Sequence, residues 1–168
     1  MKTLYVKSIY ELTPELLRKL GVTCLFLDVD NTIRKYSEAL PSARTKEYID
    51  NIKSNGVKIV LCSNNLKSRV KPYAEALGCL YVSFALKPSP YGLLRAKLKS
   101  KAKHSEILVA GDQVFNDILA GKLFFVKTLL VNPIDRENEP SSVTARRRLF
   151  NSFEKKILDN DLTLINSK

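Results

Sequence analysis

The run Leu25-Phe26-Leu27-Asp28-Val29-Asp30-Asn31-Thr32 drops from an apolar stretch into two carboxylates separated by one residue. Val22, Leu25, Phe26 and Leu27 suit a strand buried on both faces, as strands of parallel sheets are. Side chains alternate along a strand, so Asp28 and Asp30 are expected to lean to the same side of its carboxyl end, where an open α/β sheet places its ligand. Two carboxylates this close repel each other and invite a divalent cation or a shared proton. Asp-Asn-Thr is also ordinary turn and capping chemistry, so the pair implies catalysis only in company.

Three further strand ends supply that company. Val57-Lys58-Ile59-Val60-Leu61-Cys62 runs into Ser63-Asn64-Asn65, whose hydroxyl and amides can hydrogen-bond a phosphoryl oxygen or cap the helix that follows. Lys87-Pro88 follows the apolar run Leu80–Phe84. Proline fixes the local backbone, and a lysine at the mouth of a sheet is a compact cation for anionic oxygens. Ile107-Leu108-Val109-Ala110 ends in Gly111-Asp112-Gln113-Val114-Phe115-Asn116-Asp117, a second acidic pair beside a glycine that permits close backbone approach. Acid pair, hydroxyl, lysine and acid pair thus close successive buried strands.

The elements that position them alternate. Apolar runs at 22–28, 57–62, 80–84, 107–110 and 126–131 are separated by helical patterns starting near Pro14, Pro41-Ser42, Leu66, Pro90 and Asn116. This is the signature of βαβ units and a parallel sheet. A last helix is expected from Ser142 to Leu158, with Leu149, Phe150, Phe153 and Ile157 on one face and Arg146, Arg147, Arg148, Lys155 and Lys156 around it. That pattern fits either a basic interfacial helix or one packed on the sheet with a solvated basic back. No repeat or Pro/Gly/Ser linker divides the chain, so residues 1–168 are expected to form one domain, with an amphipathic amino-terminal segment and the basic carboxyl-terminal helix.

The 168 residues carry 28 Lys and Arg against 17 Asp and Glu, a formal charge of +11, so nucleic acid, anionic lipid and phosphorylated small molecules all remain eligible partners. The chain contains no run of about 18 or more apolar residues, and Met1–Tyr10 lacks the apolar core of a secretory signal, so a cytoplasmic location is expected. Cys24, Cys62 and Cys79 have no C-x-x-C spacing and read as small hydrophobes. His104, in a basic polar stretch, reads as a surface residue. A cysteine-phosphatase loop from Cys62 to Arg69 is one residue too long, and Ser68 stands where that loop needs its arginine. A receiver domain would place its phosphoacceptor on a later strand than its acid pair, whereas both leading acids here close one strand.

With its four motifs in order from Val22 through Val131, the chain resembles the haloacid dehalogenase superfamily of phosphatases. Asp28-Val29-Asp30-Asn31-Thr32 matches the first motif, Ser63 the second, Lys87 the third, and Gly111-Asp112 with Asp117 the fourth. The details Asp-Asn-Thr, Cys-Ser-Asn-Asn, Lys-Pro and Gly-Asp-Gln are similar to the small lidless YqeG-type branch, which includes phosphatidylglycerophosphate phosphatases. Ser8-Ile9-Tyr10 and Val131-Asn132-Pro133-Ile134 are similar to that branch too. Asn116 departs from it, standing where a threonine is expected, but keeps a hydrogen-bonding side chain.

The resemblance implies a three-layer, doubly wound, Rossmann-like parallel sheet, and the short intervals between motifs leave no room for a large cap domain. It implies that Asp28 attacks phosphorus to form an aspartyl-phosphate, and that Asp30 protonates the leaving alcohol and later deprotonates water, its acidity shifted by nearby negative charge. Mg²⁺ would be held by Asp28, the Asp30 carbonyl and Asp112, with Asp117 orienting a water or pairing with Lys87. Ser63, the Asn64 backbone and Lys87 would take phosphoryl oxygens, with Thr32 at the phosphate site and supporting Asp30. The expected substrate is a phosphorylated lipid head group, phosphatidylglycerophosphate, met at an anionic membrane surface by a peripheral enzyme on the inner face. The alternatives are a nucleotide, sugar or nucleic-acid-end phosphate, or a non-catalytic module for nucleic acid or anionic lipid. No specific nucleic-acid motif is present.

Overall fold

The computed structural model describes residues 2–164, leaving aside the side chains at 151, 153, 154 and from 156 onward. Seven parallel strands form one sheet: β1 (Thr3–Val6), β2 (Cys24–Leu27), β3 (Lys58–Cys62), β4 (Leu80–Val82), β5 (Ile107–Gly111), β6 (Lys127–Val131) and β7 (Leu162–Leu164), in the order β4-β3-β2-β5-β6-β1-β7. The helices are α1 (Pro14–Lys19), α2 (Ala43–Ser54), α3 (Lys67–Ala76), α4 (Tyr91–Ser100), α5 (Leu119–Leu123) and α6 (Ser141–Asp161).

The strand alternation sorts the core into two faces. Leu25 and Leu27 of β2, Ile59 and Leu61 of β3, and Leu108 and Ala110 of β5 pack with Leu17 of α1, Ile49 and Ile52 of α2, and Tyr73 of α3. The intervening residues Cys24, Phe26, Val60, Cys62, Ile107 and Val109 pack with Leu93 and Ala96 of α4 and Ala120 of α5. Two apolar faces per strand are what buried parallel strands require, and they produce the three layers. Cys24 and Cys62 are buried and Cys79 half-buried, all as free thiols. His104 is half-buried, set edge-on against Phe124 with the ring centres 5.0 Å apart, so the surface expectation holds only for part of its ring.

From β2 the chain winds outward through β3 to β4; from β5 it winds the other way through β6. The winding reverses between β2 and β5, and ligands of open α/β sheets bind outside the carboxyl ends at such a reversal. β2 delivers Asp28 to that point and β5 delivers Asp112. The two outer strands β1 and β7 are additions to the expected sheet. Thr3–Val6 is too short for periodicity to declare it, and its place follows from pairing with β6 at Leu4–Leu129 through Val6–Val131. Among the described residues, no helix is long and apolar enough to cross a membrane.

Candidate active site

β2 ends at Leu27, and one further ladder bond, from the Asp28 N–H to the Ala110 carbonyl at 2.9 Å, fixes Asp28 against β5. The chain then turns tightly, with the amides of Thr32, Ile33 and Arg34 all donating to the Val29 carbonyl. Thr45 of α2 and Tyr73 of α3 fasten this turn from below by donating to the Ile33 carbonyl at 3.3 and 3.1 Å. Asn31 adopts the left-handed conformation, φ +68°, which short polar side chains tolerate best after glycine.

At the reversal point, one oxygen from each of Asp28, Asp112 and Asp117 lies within 4.8 Å of the other two, all three residues buried. Lys87 reaches this cluster from the loop after β4, donating to Asp28 at 2.7 Å, Asp117 at 2.5 Å and the Cys62 carbonyl at 2.7 Å. With every ammonium hydrogen used on anionic or carbonyl oxygen, Lys87 is fixed and its charge is held on more firmly than that of a free lysine; burial opposes this, and Asp117 and Asp28 outweigh it. The expected pairing of Asp117 with Lys87 is present. Asp117 also accepts the Gln113 N–H at 3.1 Å. Gly111 makes room for it: a Cβ there would stand 2.2 Å from the Asp117 carboxyl carbon. The glycine therefore admits a carboxylate rather than a ligand.

Thr32 does not support Asp30. Its hydroxyl faces Asp28 at 3.0 Å and Asp112 at 3.1 Å, and the residue is buried. A hydroxyl carries one proton and cannot donate to both carboxylates at once. Burial first, then mutual repulsion with Asp117, push Asp28 up to about 7 against the pull of Lys87. Burial, Asp28 and Asp117 push Asp112 up to about 8 against Arg147. The centre is short of positive charge, and its donors are hard oxygens; both properties fit a magnesium ion.

Asp30 differs from the expectation of a shifted acid. Burial would raise it, but Arg34 at 2.6 Å, Arg69 at 2.9 Å and the Asn65 amide at 2.7 Å outweigh burial and hold it below the usual carboxylate range. The strand alternation that would aim Asp28 and Asp30 alike is interrupted by the turn at Val29. Both line the same pocket, but Asp28 faces Lys87 while the Asp30 carboxylate faces two guanidiniums. Arg34 is 1% exposed and stacks over Tyr73 with its carbon 4.7 Å from the ring centre. Sequence reading missed Arg34, although its spacing of four from Asp30 is visible.

The pocket has a volume of about 280 Å³ and runs from Asp28 and Asp30 past Ser63 and Lys87 to α6. Ser63 Oγ accepts the Asn65 N–H at 3.1 Å, which leaves its proton free to point at an incoming oxygen. The Asn64 side chain is otherwise engaged, donating to the Lys87 carbonyl and accepting the Lys87 N–H at 2.9 and 2.8 Å. It positions the lysine. A larger groove, about 510 Å³, lies at the opposite, amino-terminal end of the strands beside Gly21, Val22, Gly56 and Val57. It carries no nucleophile paired with a cation, so the chemistry belongs to the smaller pocket.

α6 forms the last wall, which sequence reading did not anticipate. Arg147 donates to the Asp112 carboxylate, to the Asp112 carbonyl at 3.1 Å, and to Glu139 at 2.9 Å. Phe150 stacks on Phe115 with ring centres 3.9 Å apart. Asn31 joins this wall to the first acid motif, donating to Glu139 at 2.8 Å and the Asp135 carbonyl at 2.9 Å, and accepting the Asp135 N–H at 2.8 Å. Of the expected apolar stripe, Leu149 is 77% exposed and Phe150 is stacked, while the Phe153 and Ile157 side chains lie outside those described.

Two crystal structures share the fold. A protein from Listeria monocytogenes serotype 4b aligns with a TM-score of 0.55 at 14% identity, over 71% of this chain and 85% of that one. The hypothetical protein XCC2798 from Xanthomonas campestris aligns with a TM-score of 0.53 at 14% identity, over 84% and 79%. In sequence, the chain is 33% identical over 130 residues to the probable phosphatase YqeG of Bacillus subtilis strain 168, covering 77% of this chain and 76% of that protein. A model of haloacid dehalogenase-like hydrolases matches residues 2–124, which contain all four acid, hydroxyl and lysine motifs. With these matches and an acid centre at the sheet's reversal point, the chain belongs to the haloacid dehalogenase-like hydrolase family, alongside a probable phosphatase.

Proposed function

We propose that the protein is a Mg²⁺-dependent phosphomonoesterase that forms an aspartyl-phosphate on Asp28 and removes the terminal phosphate of phosphatidylglycerophosphate at a membrane surface. The observation that carries the phosphatase reading is the setting of Asp28, buried on the pocket floor between Lys87 at 2.7 Å and Thr32 at 3.0 Å, with Ser63 on the adjoining wall. A carboxylate fixed this way has lost its freedom before substrate arrives, and part of the barrier to displacement at phosphorus is entropic.

An Asp28 oxygen attacks phosphorus, the bond to the leaving alcohol breaks, and the acyl phosphate is then opened by water at phosphorus. Ser63 and the Asn64 backbone bind phosphoryl oxygens, and Lys87 offsets charge that develops in the transition state. Asp28, Asp112 and the Asp30 carbonyl would hold magnesium, which supplies further charge neutralisation when bound. Asp30, ionised by its guanidinium partners, is ready to take the proton of the attacking water. To give a proton to the alcohol it has to carry one first, so its carboxylate has to turn away from both Arg34 and Arg69 toward the leaving oxygen.

The lipid assignment draws on relatives of the branch and on the rim of the site. Leu66, Phe84 and Leu86 are 57%, 49% and 57% exposed. They sit on neighbouring loops tied together by Phe84 N–H to Asn65 carbonyl and Ala85 N–H to Ser63 carbonyl bonds of 3.1 and 3.0 Å. Apolar side chains around the mouth of an uncapped site, on a chain of charge +11, favour contact with an anionic bilayer. Phosphate release is to be compared between phosphatidylglycerophosphate vesicles and soluble nucleotide and sugar monophosphates, with and without Mg²⁺ and at two salt concentrations. Magnesium-dependent, salt-sensitive release from vesicles supports the assignment; release confined to soluble phosphates rejects the lipid, and release from none rejects the phosphatase.

A further inference from the structure

The cations around the acid centre are matched with carboxylates: Lys87 with Asp28 and Asp117, Arg34 and Arg69 with Asp30, and Arg147 with Asp112 and Glu139. Arg146 is the exception. It lines the same pocket as Asp28, Ser63 and Lys87, and among the described residues its partner is the neutral amide of Asn116, whose oxygen accepts from Arg146 Nη1 at 3.0 Å when the Asn116 amide and, with it, the Gln113 amide 2.7 Å away are both turned so that Gln113 donates to Asn116. The same Asn116 amide then donates to the Lys87 carbonyl at 3.3 Å, so one side chain bridges the lysine of the acid centre and the arginine.

The helix is fixed where it carries Arg146, because the next residue is clamped on Asp112 and Glu139 and Phe150 is stacked on Phe115. A guanidinium at the wall of a site, with a fork of donors and no carboxylate partner among the described residues, is a receptor for an anion. The phosphoryl group to be transferred is already provided for by Ser63, Asn64 and Lys87 on the other side of the pocket.

We infer that Arg146 is a specificity-determining residue that binds a second anionic group of the substrate, a phosphodiester or a further phosphate placed a few atoms beyond the phosphate removed. This rests on the phosphatase reading above. α6 then does for this chain what an inserted cap does elsewhere, contributing contacts to the leaving group without enclosing it.

The test compares the wild type with Arg146→Ala and Arg146→Lys on two probes whose phosphate leaves a primary hydroxyl of a glycerol unit: glycerol 3-phosphate, with one anionic group, and glycerophosphoglycerol phosphate, the deacylated lipid head group, with two. Dioleoyl phosphatidylglycerophosphate vesicles form a third arm, which separates the head group's contribution from that of the bilayer. In Arg146→Ala the ratio of kcat/KM between the doubly and singly anionic soluble probes falls about tenfold, as loss of one charge-assisted hydrogen bond implies. The fall lies mainly in KM, and Arg146→Lys recovers part of it. Equal losses on both soluble probes assign Arg146 a structural role and overturn the inference; a loss confined to vesicles assigns it to the bilayer and overturns it too. Calorimetric binding of both soluble probes to Asp28→Asn, with and without Arg146→Ala, reads the same ratio without turnover. An inactive wild type whose binding ratio still depends on Arg146 defeats the phosphatase reading and leaves the anion site standing.

Discussion

Gly111→Ala adds one methyl group to the end of β5 and is expected to disable the site. The new Cβ would lie 2.2 Å from the Asp117 carboxyl carbon and 2.3 Å from its Oδ2. Carbon atoms settle at about 3.5–4.0 Å, so the carboxyl group has to retreat by more than about 1 Å. It has nowhere to go without breaking its 2.5 Å bond to Lys87 or its 3.1 Å bond from the Gln113 N–H, because Asp117 is buried. Overpacking of this kind costs about 1–3 kcal/mol of stability. A misplacement of about 1 Å in the catalytic groups costs on the order of 10²-fold in rate. Urea unfolding reads the first quantity and steady-state hydrolysis of p-nitrophenyl phosphate with Mg²⁺ reads the second. Asp117→Asn serves as the companion: it weakens the hold on Lys87 without a clash, so it should lose activity with a smaller loss of stability. If Gly111→Ala kept kcat/KM within about threefold and stability within about 0.5 kcal/mol, the limit for an uneventful substitution, the packing argument for the fourth motif would be wrong.

Asn31→Ala removes three side-chain hydrogen bonds to the 135–139 segment and places a methyl-bearing residue at φ +68°; a loss of about 2–3 kcal/mol in urea is expected, with Asn31→Gly losing less because its backbone is unstrained. Asp28 and Asp112, raised to about 7 and about 8, favour their protonated forms in the fold, so their contribution is complete below the ordinary carboxylate range and disappears as pH climbs through 7 and 8. Metal-free protein should therefore lose Tm between about pH 5 and pH 9, and Mg²⁺ should restore more of it at the alkaline end; a Tm that rises with pH in EDTA would contradict the assignment. Asp28→Asn should be folded, lose at least about 10³-fold in turnover, and bind inorganic phosphate with less dependence on Mg²⁺ than the wild type, as read by calorimetry.

The sheet was legible because five of its strands, β2 to β6, are continuous apolar runs, and such runs announce themselves without partners. β1 was not: four residues between Lys2 and Lys7 acquire meaning only by pairing with β6. The acids, Ser63 and Lys87 were legible because each closes a run, so the fold brings strand ends together whatever the loops do. Partnerships were harder. Alternation along the strand aimed Asp30 with Asp28, but the turn on the Val29 carbonyl redirects it to Arg34 and Arg69. Thr32 was given to Asp30 on proximity and belongs to Asp28 and Asp112. Arg146 and Arg147 read as part of a basic helix face, because nothing in their spacing reports which acids the helix will meet. Asn31 carried a signal that was readable in hindsight: an asparagine after an acid pair fits the left-handed position, and its side chain ties motif and helix together.

The charges bear on how a site proposed to take phosphate can contain so many acids. Asp28, Asp30, Asp112, Asp117 and Glu139 face Arg34, Arg69, Lys87 and Arg147, five against four, so the paired groups leave one negative charge over around Asp28 and Asp112, apart from Arg146 on the α6 wall of the pocket. Burial converts this surplus into raised affinity for protons at Asp28 and Asp112. A phosphate dianion entering that field is repelled unless a proton or a cation arrives with it. A proton on Asp28 would remove the nucleophile; a divalent ion among Asp28 and Asp112 would leave it ionised. Under the proposed chemistry, the surplus that would obstruct the substrate favours a magnesium-bound form, and neutralising Asp28 by substitution would remove the obstruction together with the proposed nucleophile.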